Sequence, residues 1–473
     1  MNIHRTFWLL TSAVFILILL PKLVQDGMFL DGITYAAISK NLANGLGNFW
    51  SPQYTLSIDP VFHSHPPLVF FLQSQFFILL GNGIYTERIY TVITALITVA
   101  GLLIFWTSLT KGKESNRYNW LIVLLWITIP IVAWSYKNNL LENTLGILTL
   151  FSVYLIVRSF QSSKVTYLLF SSSLIFLAFL SKGPVGLFPL ATPLIYSISY
   201  HNKINSKSLL YFFIQIFILV LSFGILFLLS AESVQSLSSY FKIQIFPALE
   251  FELNGLESRF YIVFELLLEL ALPIIIITII LIKTRQLDRF KKILMKKEAI
   301  FSLLTGLSAS IPILLSGKQA RLYFIPSIPF FIFFFGLLIV PFIKDAAKRL
   351  SNYEIKWMQY ISWLSLLIII IYTMSCAGGY SRNKEMIQDI HKIMTIVEPG
   401  SRMQVSNELM EDYYLVAYCI RIADISLQTQ KSEYLLIKKQ QKKEILISEN
   451  YFEYDLNLTN YKFYRSSASP VLE

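Results

Sequence analysis

Apolar runs close to the roughly 20 residues that cross a bilayer core recur along this chain. They lie at 7–24, 88–110, 119–135, 140–157, 165–181, 184–200, 208–230, 262–282, 299–315, 322–343 and 357–374. The pattern predicts an α-helical polytopic membrane protein with about eleven transmembrane helices. One further run, Pro66 to Leu80, is apolar but short, and whether it spans decides the orientation of everything after it. The positive-inside rule resolves this. With Pro66 to Leu80 dipping into one leaflet only, the loops holding Lys111, Lys113 and Arg117, Arg158 and Lys164, Lys203 and Lys207, Lys283 to Lys297, and Lys344 to Lys356 all share the side of Arg5. The remaining polar clusters then face outward: Asp31 to His65, Lys137 to Glu142, Ser181 to Gly183, Glu232 to Arg259, and Gly317 to Arg321. A site on the extracytoplasmic face is the expectation, with interfacial helices in the first outer loop.

Beyond Ser375 the periodicity changes to mixed polar. Lys384 to Val397 and Glu408 to Ile422 read as helices, and Met403 to Ser406, Tyr434 to Lys438 and Tyr461 to Tyr464 as strands. The expected division is a membrane domain over 1–374 and a small extracytoplasmic α/β domain over 375–473.

Composition supports the membrane reading. The chain has 473 residues, 55% hydrophobic and only 15% charged, too apolar for a soluble fold of this length. The first run, behind Arg5, is followed by Pro21-Lys22-Leu23 rather than a small-residue cleavage site, so it reads as a retained signal anchor. A formal charge of +11 falls mostly in short loops, where it reports orientation and not nucleic-acid binding. Cys376 and Cys419 lack metal-ligand spacing, and their pairing is left open.

Several polar residues at the ends of apolar runs carry two readings each. Asp31 opens a helical pattern with Tyr35, Ile38 and Leu42 on one face; it is an N-cap or a general base at the membrane surface, with Tyr35 one turn away. His63 and His65 precede Pro66-Pro67, which suits a helix start. A divalent metal is compatible with His-x-His, but nothing else in the sequence supports one. Glu142 stands at the mouth of a span, either paired with Lys137 or functional. Lys182, Lys318 and Arg321 sit in tight turns on the side where cations are disfavoured, and Lys242 and Arg259 in the long outer loop. Individually these are snorkelling anchors. Together they suit an anionic ligand such as a phosphate at the membrane surface.

The ordered motifs Asp31-Gly32-Ile33-Thr34-Tyr35-Ala36, His65-Pro66-Pro67-Leu68, Glu87-Arg88, Ser181-Lys182-Gly183 and Lys318 to Pro326 resemble those of the GT-C glycosyltransferases. The likeness is to the protein O-mannosyltransferase and lipid A aminoarabinose transferase type, glycosyltransferase family 39, over roughly residues 5–345. It implies an enzyme that takes a sugar from a polyprenyl-phosphate carrier and transfers it, with inversion, to a protein, lipid or glycan acceptor outside the cytoplasm. In that frame Asp31 is the catalytic acidic residue of the first loop and Glu142 the second acidic position. Lys182, Lys318, Arg321 and Tyr323 line the carrier-phosphate site, with Tyr35, His65, Lys242 and Arg259 as further substrate contacts. Gly32 stands where many relatives carry a second carboxylate, and His65 where a lysine commonly precedes the two prolines.

The reading is a multi-pass protein of the inner or plasma membrane. The donor is a polyprenyl-phosphate-linked sugar, and no cofactor is assigned. A polysaccharide ligase or polymerase is the nearest alternative. A lipid-linked-sugar transporter is disfavoured because the charges collect at one face and not at mid-membrane.

Overall fold

A computed structural model describes residues 3–111, 114–250, 260–439 and 451–467. By backbone packing the chain divides into two compact units. One comprises Met1–Pro21, Ser64–Val69 and Thr91–Ser375; the other comprises Lys22–His63, Phe70–Tyr90 and Cys376–Glu473.

The first unit is built of apolar helices. Among the described residues eight helical stretches are long and apolar enough to cross a membrane, or ten if each of two bent pairs is one span. The first pair, Glu114–Ile127 with Pro130–Lys137, bends by 73°, and the second, Tyr261–Glu269 with Ala271–Thr284, by 63°. The sequence pattern treats each pair as one straight span. The first break follows from Pro130, which cannot donate to the preceding turn, and the second falls at Leu270, with Pro273 in the first turn of the helix that follows.

One of the eight stretches, Thr166–His201, turns back on itself. Gly183 has φ +72°, and a Cβ on Gly186 would come within 2.6 Å of the Ala178 carbonyl carbon. Eight residues along a straight helix span about 12 Å, so the chain reverses between them. Phe160 stacking on Tyr196, with ring centroids 4.2 Å apart, brings the returning arm level with the end of the preceding helix. Counted as two passes, this hairpin brings the bent-pair count to the number the apolar pattern predicts.

The helices are held by packing and by polar pairs, as expected where lipid supplies no hydrophobic contrast. Ser152 and Ser171 share a hydrogen bond of 2.9 Å, and Gln215 donates to Ser171 at 3.2 Å. Phe105, Phe330 and Phe333 form an aromatic cluster, and Gly336 leaves room for Ile122 and Trp106.

The second unit carries a five-stranded sheet with β1 Arg402–Val405, β2 Ser426–Gln428, β3 Tyr434–Lys438, β4 Tyr451–Tyr454 and β5 Tyr461–Ser466. The spatial order is β2-β1-β3-β5-β4, with β1 parallel to β2 and β3, and β5 antiparallel to β3 and β4. Helix Lys384–Ile393 buries Ile387, Ile390 and Ile393, one face of its turn. Its Asp389, fully buried, accepts backbone N–H bonds from Thr459 and Asn460 at 2.7 and 2.8 Å. The expected helix over Glu408 to Ile422 is instead three short pieces, Asn407–Met410, Tyr413–Tyr418 and a π-turn Cys419–Ala423. Cys376 and Cys419 are free thiols.

Inside this unit the first loop is tied down by buried charge. Arg421 bonds Glu87 at 2.6 Å and the carbonyls of Asn82 and Gly83. Arg88 bonds Glu87 at 2.7 Å and Asp26 at 3.4 Å. Lys40, 1% exposed, pairs with Asp424 at 2.6 Å and donates to the carbonyls of Ile420 and Arg421. Burial holds the Lys40 ammonium below its ordinary pKa.

Candidate functional site

The tip of the reversed hairpin in the first unit gathers the most concentrated chemistry. Lys182 ends helix Thr166–Lys182, and Gly183 turns the chain with φ +72° and ψ −145°, a conformation favouring glycine. The turn is backed by Tyr240, whose hydroxyl donates to the Lys182 carbonyl at 3.3 Å. A side chain at Gly183 would collide with the Tyr240 hydroxyl, so the position is constrained by φ and by space.

The Lys182 ammonium is 7% exposed and forms an ion pair with Glu142, itself 1% exposed. Glu142 lies in the first turn of helix Leu141–Ser162, where the helix dipole favours a carboxylate. The second oxygen of Glu142, Oε2, is buried without a hydrogen-bond partner among the described residues. On its other side Lys182 stands 5.2 Å from the centre of the Tyr323 ring. His65 belongs to the same unit; burial, with the Lys182 charge adding to it, pushes its imidazole pKa down to about 3. A neutral His65 therefore supplies no positive charge where the resemblance implies a lysine.

A second feature of this unit is a cleft of about 830 Å3 that includes Lys318 and Arg321. Arg321 does not stand alone there: its guanidinium faces Glu265 at 3.4 Å and Glu269 at 3.7 Å. Glu269, 3% exposed, also accepts the Ile131 backbone N–H at 2.7 Å, one of the unpaired donors at the start of helix Pro130–Lys137. Lys318 is exposed, as is Lys242, which sits in a π-helical turn, Phe241–Ile245. Arg259 and Lys113 lie outside the described residues.

Asp31 and Tyr35 belong to the second unit. Helix Leu30–Ala43 starts earlier than the capping alternative requires: Phe29 occupies the N-cap and Asp31 the first turn. Asp31 is half-buried, where its charge is favoured by the helix dipole. Tyr35 is 5% exposed and packs on Phe70 with ring centroids 5.7 Å apart.

Among the described residues no group of three His, Cys, Asp or Glu side chains is placed to hold a metal. Of the expected residues, the structure brings Glu142, Lys182 and Tyr323 into contact, adds His65 electrostatically, and puts Arg321 against two carboxylates. The sequence reading overlooked Tyr240, Glu265 and Glu269. The two glutamates carried a signal, being acidic residues one turn apart within the apolar run 262–282.

The sequence model of the dolichyl-phosphate-mannose-protein mannosyltransferases matches residues 64–226. No curated protein matches the sequence at a significant level. The fold is similar to that of ArnT from Cupriavidus metallidurans. The crystal structure of ArnT bound to undecaprenyl phosphate aligns at 13% identity over 96% of this chain and 97% of that one, with a TM-score of 0.63. Apo ArnT gives 12%, 96%, 97% and 0.63.

Proposed function

We propose that this chain, a multi-span membrane protein of the GT-C fold, is a glycosyltransferase that transfers a sugar, with inversion, from a polyprenyl-phosphate carrier to an acceptor on the extracytoplasmic face; the mannosyltransferase match over residues 64–226 supports the activity. The observation that carries the proposal is Lys182: a buried ammonium at a glycine turn, charge-paired with one carboxylate and resting on the Tyr323 ring. Burying a lysine is costly, and a charge placed where a phosphate leaves gives that burial a catalytic reason.

In the proposed reaction an acceptor hydroxyl or amine attacks the anomeric carbon as the bond from that carbon to the phosphate oxygen breaks. The carrier departs as a phosphate monoester bearing one more negative charge than the diester. Lys182 meets that added charge, and electrostatic stabilisation of this kind acts only as it develops. The acceptor's proton passes to Asp31 as general base. The role rests on the first-loop motif that carries Asp31 and on its half-buried carboxylate. Glu142 holds the ammonium in place before the donor arrives. Lys318 and Arg321 serve as secondary cations in the stretch that carries Tyr323, and Lys242 as a further contact. ArnT's crystallised complex with undecaprenyl phosphate supports the choice of carrier.

Lipid analysis of cells lacking this chain tests the proposal. A sugar-loaded polyprenyl phosphate accumulates and one glycan disappears if it holds. An unchanged lipid-linked sugar pool alongside unchanged surface glycans would count against it.

A further inference from the structure

The cleft that holds Arg321 has walls a phosphate site alone does not call for. Glu265 and Glu269 lie one helical turn apart on Tyr261–Glu269, so both carboxylates face the same way. Both line the cleft, and Glu269 is fixed by the Ile131 N–H. Arg321 holds the pair together from one side at distances of 3.4 and 3.7 Å, longer than a tight bidentate bridge. The carboxylates therefore keep accepting capacity, since each has several lone-pair positions. Two aromatics share the lining: Trp134 is half-buried and Tyr261 is 50% exposed.

The geometry points to a sugar-ring site, with Glu265 and Glu269 accepting hydrogen bonds from ring hydroxyls and Trp134 or Tyr261 covering the ring's apolar C–H face. Paired acceptors beside aromatic rings suit a ligand with hydroxyl edges and apolar faces, and a few placed polar groups within an otherwise apolar pocket fix its orientation. A bare phosphate or an isoprenoid tail makes no use of the two carboxylates, one being repelled by them and the other apolar. The volume, about 830 Å3, falls in the range for small-molecule sites. The ring belongs either to the donor or to a glycan acceptor; both present the same hydroxyls. Assigning the donor ring rests on the carrier reading above, whereas an acceptor ring does not.

The test uses the purified full-length protein. It is titrated with undecaprenyl phosphate, with the same lipid bearing mannose, glucose, galactose or xylose, and separately with free mannotriose. The expected result is that Glu265→Gln weakens binding of at least one sugar-bearing ligand by about tenfold while undecaprenyl phosphate changes less than about twofold. Tyr261→Ala, at a half-exposed position, serves as the second variant and shows the same selectivity. Loss among the glycosylated lipids assigns the donor ring; loss with mannotriose assigns an acceptor ring. The inference is overturned if both variants bind every sugar-bearing ligand as wild type does, or if wild type neither binds mannotriose nor prefers any glycosylated lipid to the bare one. Failure of the carrier reading looks different: undecaprenyl phosphate then fails to bind wild type, or binds Lys182→Gln equally well.

Discussion

Lys182 and Glu142, forty positions apart in sequence, form a buried ion pair at the tip of a helical hairpin. Removing one member of such a pair leaves an uncompensated charge at a cost of about 3 to 5 kcal/mol, whereas removing both costs far less. Lys182→Gln should therefore lower thermal stability in detergent, and Lys182→Gln combined with Glu142→Gln should recover much of it. Activity should separate from stability. Loss of a charge-assisted contact to the leaving phosphate slows transfer by about 10- to 150-fold, and the double variant stays slow. Lys203→Gln, an exposed lysine on the opposite loops, should match wild type in both assays. Full transfer by the stable double variant would remove Lys182 from the mechanism.

Asp31→Asn tests the proposed base. Phe29, not Asp31, is the N-cap, so the substitution removes no cap, keeps a side-chain acceptor of the same size, and gives up a favourable dipole interaction of about 0.3 to 1 kcal/mol. Expression and melting temperature should barely change. Transfer should fall by about 100-fold or more, the usual contribution of a general base. Near-normal turnover at normal expression would reduce Asp31 to a structural residue.

Legibility of these features in the sequence varied with the range of the interaction that fixes them. Helix positions followed from run length against bilayer thickness, and the turn at Lys182 followed from Gly183-Pro184. The bends at 128–129 and at Leu270 were not legible as bends, because apolar composition continues through them and only Pro130 and Pro273 hint at a break. Strand Ser426–Gln428 is three residues long, too short for any alternation to show. Ion pairs were the hardest to read. Glu142 with Lys182, Arg421 with Glu87 and Lys40 with Asp424 join residues 40 or more positions apart, and no spacing rule links them.

His65 makes stability fall as the medium turns acidic. Its folded pKa is near 3 against an ordinary value of 6.5, so below pH 6.5 the unfolded chain binds a proton that the folded one refuses. Stability from this residue is thus fully present above pH 6.5 and is lost as pH falls toward 3, by up to about 1.4 kcal/mol per pH unit. His65→Gln should flatten the fall in melting temperature between pH 7 and pH 5 in the detergent-solubilised protein. Identical pH profiles for variant and wild type would mean that His65 titrates normally.

Orientation in the membrane turns on helix Leu68–Leu80. At 13 residues it is about 20 Å long, against about 30 Å for a hydrocarbon core, too short to span unless the bilayer thins around it. If it does not span, the loop before it and the loop after the next span lie on opposite sides. Positions 46 and 291 give a direct contrast, since Leu46 is 43% exposed and Lys291 is exposed. Single cysteines at these positions, in a chain with Cys376 and Cys419 replaced by serine, should react differently with a membrane-impermeant maleimide in intact cells. The cysteine at 46 should label, and the one at 291 should label only after permeabilisation. Labelling of 291 in intact cells would put the basic loops outside, against the charge bias that orients short loops, and would place the proposed transfer on the cytoplasmic face.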